Sequence, residues 1–129
     1  MFDFNWYQNL IQPPLAPPAW VFAPVWTVLY ISMGVALFLF ARKISFDKKT
    51  WGYVLFFTQL LVNLSWTPAF FGVKNIGLAL AIVILLDILV LLNIMEFWRI
   101  SKTASRILIP YFIWILFATY LNFRYLILN

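Results

Sequence analysis

Residues 76–97 read IGLALAIVILLDILVLLNIMEF, an apolar run interrupted by only two charged side chains, Asp87 and Glu96. A helix needs about 20 consecutive apolar residues to cross about 30 Å of hydrocarbon, and this run has that length. A membrane strand would be shorter and would alternate polar with apolar residues. Lipid offers no partner to open backbone groups, which again favours a helix. Three further apolar segments lie around it, at 20–41, 51–71 and 104–128. The reading is an all-α integral membrane helical bundle with four transmembrane helices, forming a single domain over residues 1–129.

The composition agrees. Of 129 residues, 65% are hydrophobic and 10% charged, whereas soluble domains carry about 45–50% apolar and about 25% charged residues. So few charges cannot cover a surface facing water, so the solvent expected is the lipid bilayer. The chain has no cysteine and no histidine. Disulfides, thiol chemistry and the commonest metal ligand and general base are therefore absent, and neither a metal site nor a resident cofactor is expected. The net charge of +5 does not indicate nucleic acid, because the basic residues sit between apolar segments as they do in membrane proteins. Residues 1–12 lack the basic leader and apolar core of a signal peptide.

Polar loops are expected at 42–50 (RKISFDKKT) and 98–106 (WRISKTASR), with a tight turn at 72–75 (GVKN). The prolines of QPPLAPP (12–18) prevent a helix there. Arg42, Lys43, Lys48, Lys49, Arg99, Lys102 and Arg106 fall on one side, Lys74 and Arg124 near the other. The excess of basic residues places the 42–50 and 98–106 loops in the cytoplasm, and a bacterial inner membrane is favoured over an organelle membrane.

Trp20, Trp51 and Trp98 lie at segment ends, where Trp favours the membrane interface. Trp26 and Tyr30 are one helical turn apart on the first segment. Tyr111, Trp114, Ala118 and Leu121 recur at three- and four-residue steps on the fourth. Such stripes commonly pack helices together; two of them on different helices also suit an aromatic pocket for a flat ligand. Gln59, Asn63 and Trp66 share a face of the second segment, and Asn122 lies on the fourth. Buried amides either join helices or hold a ligand. Asp87 lies at mid-membrane, where a carboxylate is costly and is by default a functional candidate; pairing with an amide or hydroxyl of a neighbouring helix is the structural alternative. Pro24, Pro68 and Pro110 sit near segment ends, and a kink is expected where Pro68 precedes AFFG.

Residues 6–34, WYQNLIQPPLAPPAWVFAPVWTVLYISMG, resemble the hallmark of the translocator protein family, whose members are also called tryptophan-rich sensory proteins or peripheral benzodiazepine receptors. QLLVNLSWTPAFFG at 59–72 and PYFIWILFATYLN at 110–122 resemble two further family patterns, in matching order. This resemblance implies a pocket within the bundle that binds porphyrins, sterols and synthetic heterocycles. Carried over by motif position, its lining is Trp6, Phe22, Ala23, Trp26, Asn63, Trp66, Trp114, Ala118 and Leu121. Homodimers are also implied. The family has five transmembrane helices, the first preceding the WY pair. Here Met1 stands five residues before Trp6, so the four segments are set against the family's second to fifth helices. The expectation is a homodimer, or weaker ligand binding than in a five-helix relative. At the C-terminal end Phe123 takes the aromatic position of the family's sterol segment and Arg124 follows directly, which departs from the family pattern. Only a loose sterol motif through Leu116, Tyr120 and Arg124 remains.

The function expected is a membrane-embedded binding or sensory protein for flat hydrophobic ligands, porphyrins (tetrapyrroles) first, with a role in tetrapyrrole levels or stress response. The enzymatic alternative, also suggested by the family, is light-dependent porphyrin breakdown, with Trp26 and Trp114 in radical chemistry; no acid–base machinery supports ordinary catalysis. Another alternative is a lipid, sterol or ion-coupled transporter, for which Asp87 is the one hint; the chain lacks the internal repeat common in transporters.

Overall fold

The computed structural model describes residues 21–43 and 49–128, the side chains of Phe22 and Phe71 excepted. Every long element in it is a helix: α1 (Phe22–Arg42), α2 (Thr50–Thr67), α3 (Ile76–Ile100) and α4 (Lys102–Leu128). A π-helical turn, Pro68–Gly72, follows α2. Among the described residues, α1, α3 and α4 are long and apolar enough to cross a membrane. The 18-residue α2 is more polar because Gln59 and Asn63 lie on it, both buried inside the bundle.

The expected loop at 98–106 does not exist as a loop. α3 runs on to Ile100 and α4 begins at Lys102, leaving Ser101 alone in an extended conformation between them (φ −142°, ψ 106°). Ser101 caps the new helix by accepting from Ala104 N–H at 3.3 Å. Ser105 Oγ donates to the Ile94 carbonyl at 2.7 Å, tying the two helices at the corner. The charges of this segment marked a change of solvent, not the end of a helix; long basic side chains reach water from a helix that continues.

The kink expected at Pro68 takes the form of the π-helical turn. Proline supplies no N–H and disrupts the ladder behind it, and the backbone closes wider bonds, with Val73 N–H donating to the Pro68 carbonyl at 2.8 Å. Lys74 turns the chain at φ 62°, and Asn75 caps α3 by accepting from Leu78 N–H at 3.0 Å. Pro110 lies inside α4 rather than at its start.

The closest backbone approaches are α3 with α4, α2 with α3, and α1 with α4. The helices therefore form a row, α1–α4–α3–α2, folded so that the outer two meet through side chains. Phe40 of α1 lies beneath Gly52 of α2, stacks on Phe97 of α3 at 4.1 Å, and meets the Tyr53 ring edge-on at 5.2 Å. Lys49 Nζ closes the basic end of α1 by donating to the carbonyls of Ala41 (3.1 Å) and Lys43, groups that a helix C-terminus leaves unpaired. The outer faces carry exposed Val28, Ile31, Leu61 and Ile113. In water such faces would be a liability; against acyl chains they are the expected surface. Thr27 and Ser32 on α1 donate back to the carbonyls of Ala23 and Val28, so these hydroxyls need no water.

Candidate functional site

Two polar–aromatic groups lie between the helices. In the first, Tyr111 of α4 is fully buried. Its phenol donates to Gln59 Oε1 at 2.7 Å and accepts from Asn63 Nδ2 at 2.8 Å. Tyr30 of α1 donates its phenol proton to Asn63 Oδ1. Gln59 Nε2 points at Met33 Sδ, 3.7 Å away. One chain of contacts thus links α1, α2 and α4, and satisfies amides that would be costly in an apolar medium. The amides of α2 face inward because a polar side chain exposed to acyl chains finds no partner.

Beside this chain runs a string of rings. Trp26 and Tyr30 have centroids 5.8 Å apart, Trp26 meets Trp114 edge-on at 6.4 Å and 88°, and Trp114 leads to Phe117 at 5.6 Å and Phe117 to Tyr120 at 6.1 Å. These rings are only partly buried: Tyr30 is 37% exposed, and the other four are intermediate. Trp26 and Trp114 touch each other, so a flat molecule would lie along the string rather than between these two rings in this arrangement.

The second group lies toward the π-helical turn. Trp66 Nε1 donates to Asn122 Oδ1 at 2.9 Å, and Asn122 Nδ2 donates to the Ile76 carbonyl at 2.9 Å. Trp66 also stacks on Phe70 at 5.1 Å. Leu121 is buried here with Ala69, Phe70 and Tyr125.

The residues expected to line one pocket therefore divide. Trp26, Asn63 and Trp114 belong to the first group, and Trp66 and Leu121 to the second. Ala118 is half-buried on α4, one turn from Trp114, and Ala23 is exposed near the start of α1. Trp6 and the Phe22 side chain lie outside the described residues. Phe117 extends the ring string, and its one signal in the sequence is its place three residues after Trp114. Met33 gave no signal.

Asp87 is half-buried on α3. Thr119 of α4 donates to its Oδ2 at 2.6 Å, so the hydroxyl-pairing alternative holds. The other oxygen, Oδ1, is buried without a hydrogen-bond partner. Among the described residues no group of His, Cys, Asp or Glu is arranged to hold a metal ion. Trp51 and Trp98 are exposed near helix ends, and Lys102 and Arg106 lie over the Trp98 ring at 5.2 and 5.4 Å. This suits the interfacial role expected of them.

The family model described as TspO/MBR family matches residues 2–128. The chain belongs to this family. Among its relatives, the Tryptophan-rich protein TspO of Chlorobaculum tepidum is 43% identical over 128 residues, covering 96% of this chain and 79% of the relative. The Tryptophan-rich sensory protein of Cereibacter sphaeroides is 36% identical over 125 residues, covering 97% and 77%. The Translocator protein of Bos taurus is 35% identical over 123 residues, covering 94% and 73%. Membership in the TspO/MBR family, with apolar helices long enough to span, makes this an integral membrane protein of the sensory or binding kind.

Proposed function

We propose that this protein binds flat hydrophobic molecules within the membrane, porphyrins first among them. The observation that carries the reading is the string Tyr30–Trp26–Trp114–Phe117–Tyr120, partly buried rings in contact across α1 and α4. A planar macrocycle gains by stacking on such rings and by leaving water. The amides beside the string are already bonded to protein partners, so orientation comes from ring geometry more than from a ligand hydrogen bond. The name tryptophan-rich sensory protein, borne by a relative, supports a sensory reading. Proposed with it are a fourth membrane crossing by α2 continued through its π-helical turn, a bacterial inner membrane location, and association in pairs.

Titration with a porphyrin in detergent, followed by tryptophan fluorescence, tests the binding. Saturable quenching is expected, and it is expected to weaken strongly in a Trp26→Ala, Trp114→Ala double variant. Quenching that never saturates, or that is unchanged in the variant, refutes the reading.

A further inference from the structure

A second place in the molecule has the chemistry of a binding site, and it lies away from the aromatic string. At the basic end, where α1 finishes and α3 turns into α4, a cavity of about 490 Å³ is lined by Leu39, Arg42, Lys43, Ser101 and Thr103. Neither Arg42 nor Lys43 has a carboxylate partner among the described residues; Glu96 is taken by Arg99 at 2.9 Å, and Asp87 lies about three and a half turns from that end of α3. The Arg42 guanidinium rests over the Phe38 ring at 5.8 Å. Ser101 uses its oxygen lone pair to cap α4, which leaves its hydroxyl proton available as a donor. Thr103, exposed on the first turn of α4, supplies a second hydroxyl. Among the described residues the cavity thus presents two cations and two hydroxyl donors.

We propose that this cavity takes the phosphate of an anionic membrane lipid. Depth selects a lipid over a dissolved anion: the spans Ala23–Arg42 and Lys102–Leu128 both end here, the level at which lipid phosphates meet the hydrocarbon. Below the basic rim, α1 offers exposed Phe38 (61%) and Val35 (45%), a track along which acyl chains lie once the headgroup is held. Basic pockets between transmembrane helices bind anionic headgroups by this combination of charge and depth. Lys102 and Arg106 are different: they lie over Trp98 and do not line the cavity. That difference makes them the control.

Native mass spectrometry of the whole chain, released from detergent containing phosphatidylglycerol or phosphatidylcholine of matched chains, is the test. Phosphatidylglycerol is expected to remain bound in preference to phosphatidylcholine. Taking about fivefold for each cation that contacts the headgroup, Arg42→Gln with Lys43→Gln is expected to lower phosphatidylglycerol affinity roughly 30-fold. Lys102→Gln with Arg106→Gln removes the same charge and is expected to leave it little changed. Thr103→Val, which alters no charge at an exposed position, is expected to weaken binding several-fold, and it decides the matter should the Arg42, Lys43 pair fail to give helical circular dichroism. Equal losses in the two charge pairs would show diffuse attraction and no site. Equal retention of the two lipids, or full displacement of phosphatidylglycerol by millimolar inorganic phosphate, overturns the lipid assignment as well.

Discussion

Tyr111 shows what a single residue contributes here. Its hydroxyl joins Gln59 and Asn63 of α2 to α4, and Asn63 carries the link to Tyr30. Asn63 is 4% exposed with both its polar atoms engaged, so it needs no second copy of the chain to cover it. Removing the Tyr111 hydroxyl with Phe leaves the ring in place and strips partners from two buried amides. Hydrogen bonds between membrane helices average about 0.6 kcal/mol and reach about 1.7, so Tyr111→Phe is expected to destabilise by about 1–2 kcal/mol in a reversible SDS unfolding titration. Thr119→Val, which deletes the donor to Asp87, is expected to lose about 0.5–1.5 kcal/mol by the same measure. The residue types were readable: Gln59, Asn63 and Trp66 fall on one helical face, and their inward direction follows from their cost in lipid. Their partners were not readable, since Tyr30, Tyr111 and Asn122 lie 33, 48 and 56 residues away from the groups they bond.

At the scale of elements, glycine separates a close crossing from open space. A Cβ on Gly52 would enter the Phe40 ring, meeting its Cζ, Cε1 and Cε2 atoms, whereas a Cβ on Gly34 meets nothing within 4 Å. Gly52→Ala is therefore expected to cost about 1–3 kcal/mol through overpacking. Gly34→Ala is expected to be neutral or slightly stabilising, because alanine is the better helix former. Thermal denaturation of the two variants side by side checks this, and equal behaviour would place α1 and α2 farther apart at that level. The segments themselves were legible from apolar length alone. Their ends were less so: a cluster of charges at 98–106 resembles a loop in sequence, yet the helices on either side consume all of it but Ser101. Backbone bonds persist in water as well as in lipid, so hydropathy reports where the solvent changes and not where a helix stops.

For the whole molecule, the expected orientation puts the basic end in the cytoplasm. The absence of native cysteine makes this easy to test with an impermeant thiol reagent on intact cells. Thr103→Cys at the basic end is expected to stay unlabelled, and Val73→Cys, 68% exposed in the opposite turn, to react; the reverse pattern inverts the topology. Hydropathy, the spread of basic residues and three motif stretches determined, without any coordinates, that the chain is a helical membrane protein resembling the translocator family, because lipid permits few backbone forms and charges are confined to its edges. Tertiary structure alone decided the row order α1–α4–α3–α2, the edge-on contact of Trp26 with Trp114, the division of the expected pocket residues into two groups, and the cavity beside Arg42 and Lys43. Each of these depends on which faces of distant helices meet. That is settled by packing and by buried hydrogen bonds between residues far apart in the chain, and helical periodicity, which gives each helix its faces, does not say which other helix a face will touch.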